Sequence, residues 1–436
     1  MDYPASLAYL HALGWELRAG AKFELTQVAA LLAELGHPQR AFAAVHVAGT
    51  NGKGSVAALV ASGLRAAGYR TGLYTSPHLE QPTERIRLGG AEIAPEAFAA
   101  AIAAVQAATE RLLAREALLH PPSFFEALTA AGFLAFRTAA MEIAVVEVGL
   151  GGRLDATNVL QPVAAAITAI AMDHEKYLGS TLAAIAGEKA GILKPGLAVV
   201  SSPQAPEAAS VLAARAAAVG ARFLPPAALL AGPQMDAEGR CGFTARYRDQ
   251  SVTVRLGLRG RHQVENARTA LGVLAAISER GWPVTAAQAA AGMAAAQWPG
   301  RLEKLATAPA LYVDGAHNPA AARALAAFLQ DTGWRPVLVF GAMRDKAVGE
   351  MAEILFPRAR HVILTAPAHP RALSPAALAA QVQGATLTPL EIASDLPAAL
   401  ARARDLAVAE GAPILLTGSL YLVGQARARV GGQDRG

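Results

Sequence analysis

The 436-residue chain carries 39 Lys plus Arg against 34 Asp plus Glu, a formal net charge of +5, with 53% hydrophobic and 17% charged residues. That balance excludes a disordered chain, and no Gly-X-Y period or sustained charged heptad points to collagen or coiled coil. At roughly 150 residues per domain the length suits two or three domains, and the scattered basic residues form no nucleic-acid or membrane patch.

In chain order, the first residues, MDYPASLAYLHALGWELRAG, lack the basic-then-apolar order of a secretory leader. No window holds ~18 uninterrupted apolar residues, so no membrane-spanning helix is expected. The one cysteine, Cys241, cannot form an internal disulfide, and the expected setting is the cytoplasm. Short apolar runs at 41–50, 141–150, 162–171 and 197–202 alternate with Ala/Leu-rich helical stretches. Such runs read as parallel strands buried on both faces, so the first part is expected to be a parallel α/β sheet. Segment 221–260 alternates apolar and polar residues like an antiparallel hairpin decorating that domain. After Trp298-Pro299-Gly300, runs at 310–316, 335–343, 359–367 and 412–420 predict a second, smaller α/β domain, whose tail GGQDRG is expected to fray.

The strongest local signal is Gly49-Thr50-Asn51-Gly52-Lys53-Gly54-Ser55, between a strand and a helical stretch. Glycines let the backbone wrap a phosphate, a helix N-terminus attracts the anion, and Lys53 adds a point charge. The loop departs twice from G-x-x-x-x-G-K-[ST]: Val47 stands for the first glycine and Gly54 for the hydroxyl residue. An ordinary Gly-rich turn is the plainer alternative. Glu147 closes an apolar strand and Asp173-His174 follows the next one, both at the sheet edge where such folds bind ligands. Glu147 suits Mg²⁺; His174 reads equally as a capping or hydrogen-bonded histidine. Lys189, one of seven lysines, reads as either a helix-surface residue or a site residue. Asp314-Gly315-Ala316-His317-Asn318-Pro319 reads as a polar turn or as a ligand contact at a strand end.

These segments, in order, are GTNGKGS at 49–55, YTSPHL at 74–79, EVGLGGRLDATN at 147–158, DH at 173–174 and EKAGI at 188–192. WPGR at 298–301, DGAHNP at 314–319 and LTGSLYLVG at 416–424 follow. The ordered set resembles the folylpolyglutamate synthase/dihydrofolate synthase family of the Mur-ligase group, from about residue 6 to residue 425. The resemblance implies a P-loop-type parallel-sheet domain binding ATP and folate over 1–297. A Rossmann-like α/β domain binding glutamate is implied over 298–436. It implies ATP-dependent ligation of L-glutamate to dihydropteroate or to folate (poly)glutamates through an acyl phosphate, by a cytoplasmic monomer without nucleic-acid or membrane partners.

By the same resemblance, Asn51, Gly52, Lys53, Gly54 and Ser55 cradle phosphate, and Asn266, Arg301 and Asp314 hold ATP, the last two from the second domain. Ser76, Glu147 and His174 are implied as metal ligands, with two Mg²⁺ ions expected. Lys189 is implied to be carbamylated, and Lys53, Lys189 and His317 to be catalytic. Ser123, Phe124, Phe125, Glu126, Leu154, Asp155 and Ala156 are implied to meet the pterin-bearing substrate, and His317 and Ser419 the incoming glutamate. One departure is Glu80-Gln81-Pro82-Thr83-Glu84-Arg85, where relatives usually carry an Arg/Asn-containing stretch; it bears on substrate length. Two rivals frame the reading. A Mur-type ligase for UDP-linked precursors would carry a UDP-binding domain ahead of the phosphate loop, where only 48 residues stand here. A plain ATP-binding module would need neither Glu147, His174 and Lys189 nor a second domain.

Overall fold

The computed structural model describes residues 1–14, 24–384 and 387–433, which divide into two compact units. The first comprises Met1–Gly232, Phe243–Arg255 and Glu265–Ala296, the second Pro233–Gly242, Leu256–Val264 and Gln297–Gly436. The middle hairpin region therefore contributes residues to both units.

The first unit is built on an eight-stranded sheet. Its strands are β1 (Ala43–Ala48), β2 (Thr71–Tyr74), β3 (Ile86–Leu88), β4 (Ala91–Glu92), β5 (Ile143–Glu147), β6 (Ala164–Ile167), β7 (Ala198–Ser201) and β8 (Arg222–Leu224). They lie in the order β4-β3-β2-β5-β1-β6-β7-β8. Pairings from β2 through β8 are parallel, whereas β3 and β4 join antiparallel at one edge. The runs at 41–50, 141–150, 162–171 and 197–202 thus form strands as their composition predicts. Strands β2 (TGLY), β3 (IRL), β4 (AE) and β8 (RFL) contain no continuous apolar run of that kind.

Apolar layers cover the sheet because its central strands are buried on both faces. One cluster gathers Ala44, Tyr74 and Val146 with the helices Pro95–Ala114 and Phe124–Thr138. Another joins Ala165, Ile167 and Val199 to the helices Leu182–Ala190 and Pro206–Val219. The helix Lys53–Ala66 is buried from Gly54 to Leu64, which explains its lack of a polar face. Pro95–Ala114 is long and apolar enough to cross a membrane by length and composition. Here Phe98, Ile102, Val105 and Leu112 instead pack into the core.

Strands β9 (Leu229–Met235), β10 (Arg240–Tyr247) and β11 (Gln250–Arg259) form a separate sheet, and Arg248-Asp249 makes the tight β10–β11 turn. The second unit carries β12 (Glu303–Thr307), β13 (Ala310–Val313), β14 (Val337–Phe340), β15 (His361–Leu364), β16 (Leu390–Ile392) and β17 (Ile414–Thr417), ordered β12-β13-β17-β14-β15-β16. All its pairings are parallel except that of edge strand β12 with β13. The final helix, Leu420–Gln433, runs into the tail expected to fray; residues 434–436 lie outside the described residues.

Candidate active site

The phosphate-loop segment lies between β1 and the helix Lys53–Ala66. Gly52 is the helix N-cap with φ 90° and no side chain caps the helix start. A Cβ at Gly52 would fall on the Asn266 side-chain oxygen, so both φ and close approach require glycine. The loop is anchored from β6: Thr50 and Asn51 N–H groups donate to Ala169 O at 3.0 and 3.1 Å. Thr50 Oγ1 donates to Ala171 O and accepts from Ala171 N, each at 3.1 Å. Lys53 Nζ donates to Thr50 O at 3.2 Å, which folds its charge over the loop. Gly54 and Ser55 are buried in the first helical turn, and Asn266 is brought against the loop. A helix start with no side-chain cap, facing a lysine, suits an anion.

Around this loop gather several residues singled out in the sequence. Glu147 ends β5 beside Val47 of β1; its carboxylate is buried and accepts from Ser76 N at 3.2 Å. His174 sits in the left-handed region with φ 53° and starts the short helix Glu175–Leu178. Its N–H donates to Asp173 Oδ1 at 2.9 Å, and its Nε2 lies 4.0 Å from the same oxygen.

Lys189 lies in the last turn of Leu182–Ala190 and is only 4% exposed. Burial, aided by the nearby Lys53 charge and opposed by Asp173, Asp155 and Glu188, lowers its pKa to about 7. The surface-lysine alternative therefore fails, because a solvated helix face imposes no such desolvation. Its helix end is welded to the 149–158 loop: Arg153 N donates to Glu188 O at 2.8 Å, and Arg153 Nη2 meets Glu188 Oε1 at 2.9 Å. A Cβ on Gly152 would stand 2.8 Å from Glu188 O and 3.2 Å from Lys189 Cα.

Ser123 and Glu126 form a capping box on Phe124–Thr138: Glu126 Oε2 accepts from Ser123 N at 2.8 Å, and Glu126 N donates to Ser123 Oγ at 3.3 Å. These two side chains thus already serve the helix start. Phe125 lies against Gly149, so the 123–126 and 149–156 segments adjoin. Phe124 and Ala156 are buried in the neighbouring core, and Leu154 is half-buried. Asp155 is 5% exposed and accepts from Leu150 N at 2.9 Å and Thr157 N at 3.0 Å.

Arg85, His78 and His46 are not among the site residues expected from the sequence. Arg85 is buried, donates from Nε to His78 Nδ1 at 2.9 Å and lies 5.5 Å over the Phe124 ring. His78 is pushed down to about 3, mainly by burial and then by the Arg85 charge. His46, within apolar β1, bonds Thr157 across the fold; a histidine among Ala and Val in a central strand was the available hint.

In the second unit, Asp314 follows β13 and is 7% exposed; its carboxylate accepts from Leu302 N and Ala316 N, both at 2.9 Å. His317 Nδ1 donates to Gly315 O at 2.8 Å. The Ser419 segment adjoins it, since Gly418 N donates to Ala316 O at 3.1 Å and Asp314 N to Leu416 O at 3.0 Å. Arg301 Nη1 donates to Gly300 O at 3.0 Å and would lie 2.6 Å from a Cβ at Gly315. Arg301, Asp314, His317 and Ser419 therefore share one end of this unit's sheet.

Among the described residues, no group of three or more His, Cys, Asp or Glu side chains forms a metal cluster. The residues expected around Mg²⁺ still suit it. Glu147 offers a buried carboxylate whose bond from Ser76 N keeps the Ser76 backbone beside it, and a neutral Lys189 amine is the form that reacts with CO₂.

Comparison with known proteins gives the same picture. Residues 47–274 match the Mur ligase middle domain family and residues 300–420 the Mur ligase, glutamate ligase domain family. The chain is 36% identical to folylpolyglutamate synthase of Lacticaseibacillus casei, over 98% of each protein. It is 35% identical to dihydrofolate synthase/folylpolyglutamate synthase of Bacillus subtilis, over 97% of this chain and 99% of that one. The structure is similar to that of Mycobacterium tuberculosis folylpolyglutamate synthase complexed with ADP, with TM-score 0.91, 36% identity and 99% of each chain covered. With a lysine-bearing phosphate loop, a buried lysine beside it and this similarity over almost the whole length, the chain belongs to the folylpolyglutamate synthase/dihydrofolate synthase family of Mur ligases.

Proposed function

We propose that this chain uses ATP to join the amino group of L-glutamate to the carboxylate of dihydropteroate or of a reduced folate, releasing ADP and phosphate. The observation that carries the reading is the helix start at Gly52-Lys53, free of any side-chain cap, in a chain similar to these ligases from end to end. A carboxylate is a poor acyl donor. Transfer of the γ-phosphoryl group makes an acyl phosphate, and the glutamate nitrogen then attacks the acyl carbon and expels phosphate. The protein's part is to hold phosphates and substrates in line.

In this reading residues 1–297 bind ATP and acceptor and residues 298–436 bind glutamate. Lys53 and the amides of residues 51–55 hold phosphate, while Asn266, Arg301 and Asp314 hold the nucleotide. Residues 123–126 and 154–156 meet the acceptor, and His317 and Ser419 face glutamate. Ser76, Glu147 and His174 would hold Mg²⁺, which supplies screening of phosphate charge when bound. The Lys189 amine, neutral in part near pH 7, adds CO₂ with loss of a proton to become an anionic carbamate, whose oxygens suit a second Mg²⁺. We also place the reaction in the cytoplasm and in a monomer. The bifunctional name of the Bacillus subtilis relative supports activity on both dihydropteroate and folates.

The test is ADP release by the purified chain with dihydropteroate and with reduced folate monoglutamate as separate acceptors. Release that requires L-glutamate together with either acceptor is expected. Release that ignores both would leave a plain ATPase and overturn the reading.

A further inference from the structure

A polar chain crosses the core of the first unit. His46, fully buried on β1, places Nε2 at 2.8 Å from Thr157 Oγ1. Thr157, also fully buried, donates its hydroxyl to Asp155 Oδ1. A hydroxyl has one proton, so with that proton on Asp155 the same oxygen accepts from His46. His46 must then carry its ring proton on Nε2, and burial, which lowers its pKa to about 3, keeps the ring neutral with that single proton.

An apolar pair of equal volume would fill this space without the cost of desolvating an imidazole and a hydroxyl. Loop attachment does not explain the pair either. Arg153 N already bonds Glu188 O at 2.8 Å, and Asn158 Nδ2 bonds Arg153 O and Gly191 O at 3.0 and 3.1 Å. What the pair adds is the orientation of one carboxylate. Thr157 N–H and hydroxyl hold Oδ1, and Leu150 N–H holds Oδ2.

We infer that His46 and Thr157 are positioning residues for the pterin-bearing substrate, setting through Asp155 the surface that the 149–156 loop offers it. The inference rests on the proposed acceptor role of residues 154–156. Neither residue would touch the substrate.

The experiment compares steady-state KM for dihydropteroate, ATP and L-glutamate in the full chain and in Thr157→Val, Thr157→Ser, His46→Leu and His46→Gln. Thr157→Val keeps the volume and removes the hydroxyl. It is expected to raise the acceptor KM about tenfold, with the ATP and glutamate KM values within about twofold of wild type. Thr157→Ser and His46→Gln, which retain a hydroxyl or an N–H donor, should restore most of the acceptor affinity. His46→Leu should act in the same direction as Thr157→Val, and their double variant should fall short of the product of the two effects. An unchanged acceptor KM in Thr157→Val overturns the inference. So does a rise in all three KM values together, or a Thr157→Ser variant as impaired as the valine. A wild-type chain that turns over no pterin acceptor would overturn the functional reading as well; normal wild-type turnover with an unaffected valine variant overturns this inference alone.

Discussion

The molecule contains two strand-to-helix junctions of the same outline that do opposite things with their helix starts. At the first, β1 leads into Lys53–Ala66 through Gly52 in the left-handed region, and no side chain caps the helix. At the second, β13 leads into Pro319–Thr332, where the Asn318 side chain accepts from Ala321 N at 2.9 Å and Pro319 takes the first helical position. The Asp314 carboxylate accepts from Ala316 N of the same loop and from Leu302 N ahead of β12. The first helix start has no side-chain cap, whereas the second is capped by its own Asn318. Both lie at a sheet's carboxyl edge, and the capping residue is what distinguishes the junction proposed to hold phosphate from the one that caps itself.

The largest test of this contrast is Lys53→Ala. If the first junction works through charge on phosphate, turnover should fall on the order of 10²–10³-fold with an unchanged thermal transition. Turnover within about threefold of wild type would remove the phosphate role.

A smaller but more diagnostic effect concerns the lysine beside that cradle. Lys189→Arg keeps a positive charge yet cannot form the same carbamate, so turnover should drop by at least about tenfold, and acetate should partly rescue Lys189→Ala. The sign of the pH dependence follows from the lowered pKa. The amine is protonated below about 7 and neutral above it. After CO₂ is withdrawn and then restored at a fixed concentration, reactivation at about pH 8 should run roughly tenfold faster than at about pH 6. Equal rates, or full activity in Lys189→Arg, would show that carbamate formation at Lys189 is not required.

The smallest effect belongs to the second junction. Asn318→Ala removes a side-chain cap that the helix supplies to itself, so stability should fall by ~1 kcal/mol in chemical denaturation. Turnover at a temperature well below unfolding should change by less than about threefold, because the cap holds no phosphate. A catalytic loss there as deep as that of Lys53→Ala would erase the distinction between the two junctions.

Much of this was legible in the chain. The apolar runs at 41–50 and 141–150 predicted β1 and β5, and the glycine-lysine spacing at 49–55 predicted the strand–loop–helix that forms there. Ser123 and Glu126, read as substrate contacts, also have the spacing of a capping box, and the structure gives them that bond. Edge strand β12 (EKLAT) and β2 (TGLY) are interrupted by polar residues or glycine, so the continuous apolar signal that marks β1 and β5 passes them by.

Sequence by itself determined the alternation of strands and helices, the phosphate loop's backbone demands and the ordered motifs that mark the family. All of these depend on φ/ψ preferences, apolar period and residue identity within a short span. Only the tertiary structure brought Lys189 out of solvent, against the Gly152 loop and near Lys53, which is distant in sequence. Likewise it alone joined His46 to Thr157, 111 positions apart. Desolvation and hydrogen-bond partnership are set by what covers a side chain, and that cover comes from segments far along the chain.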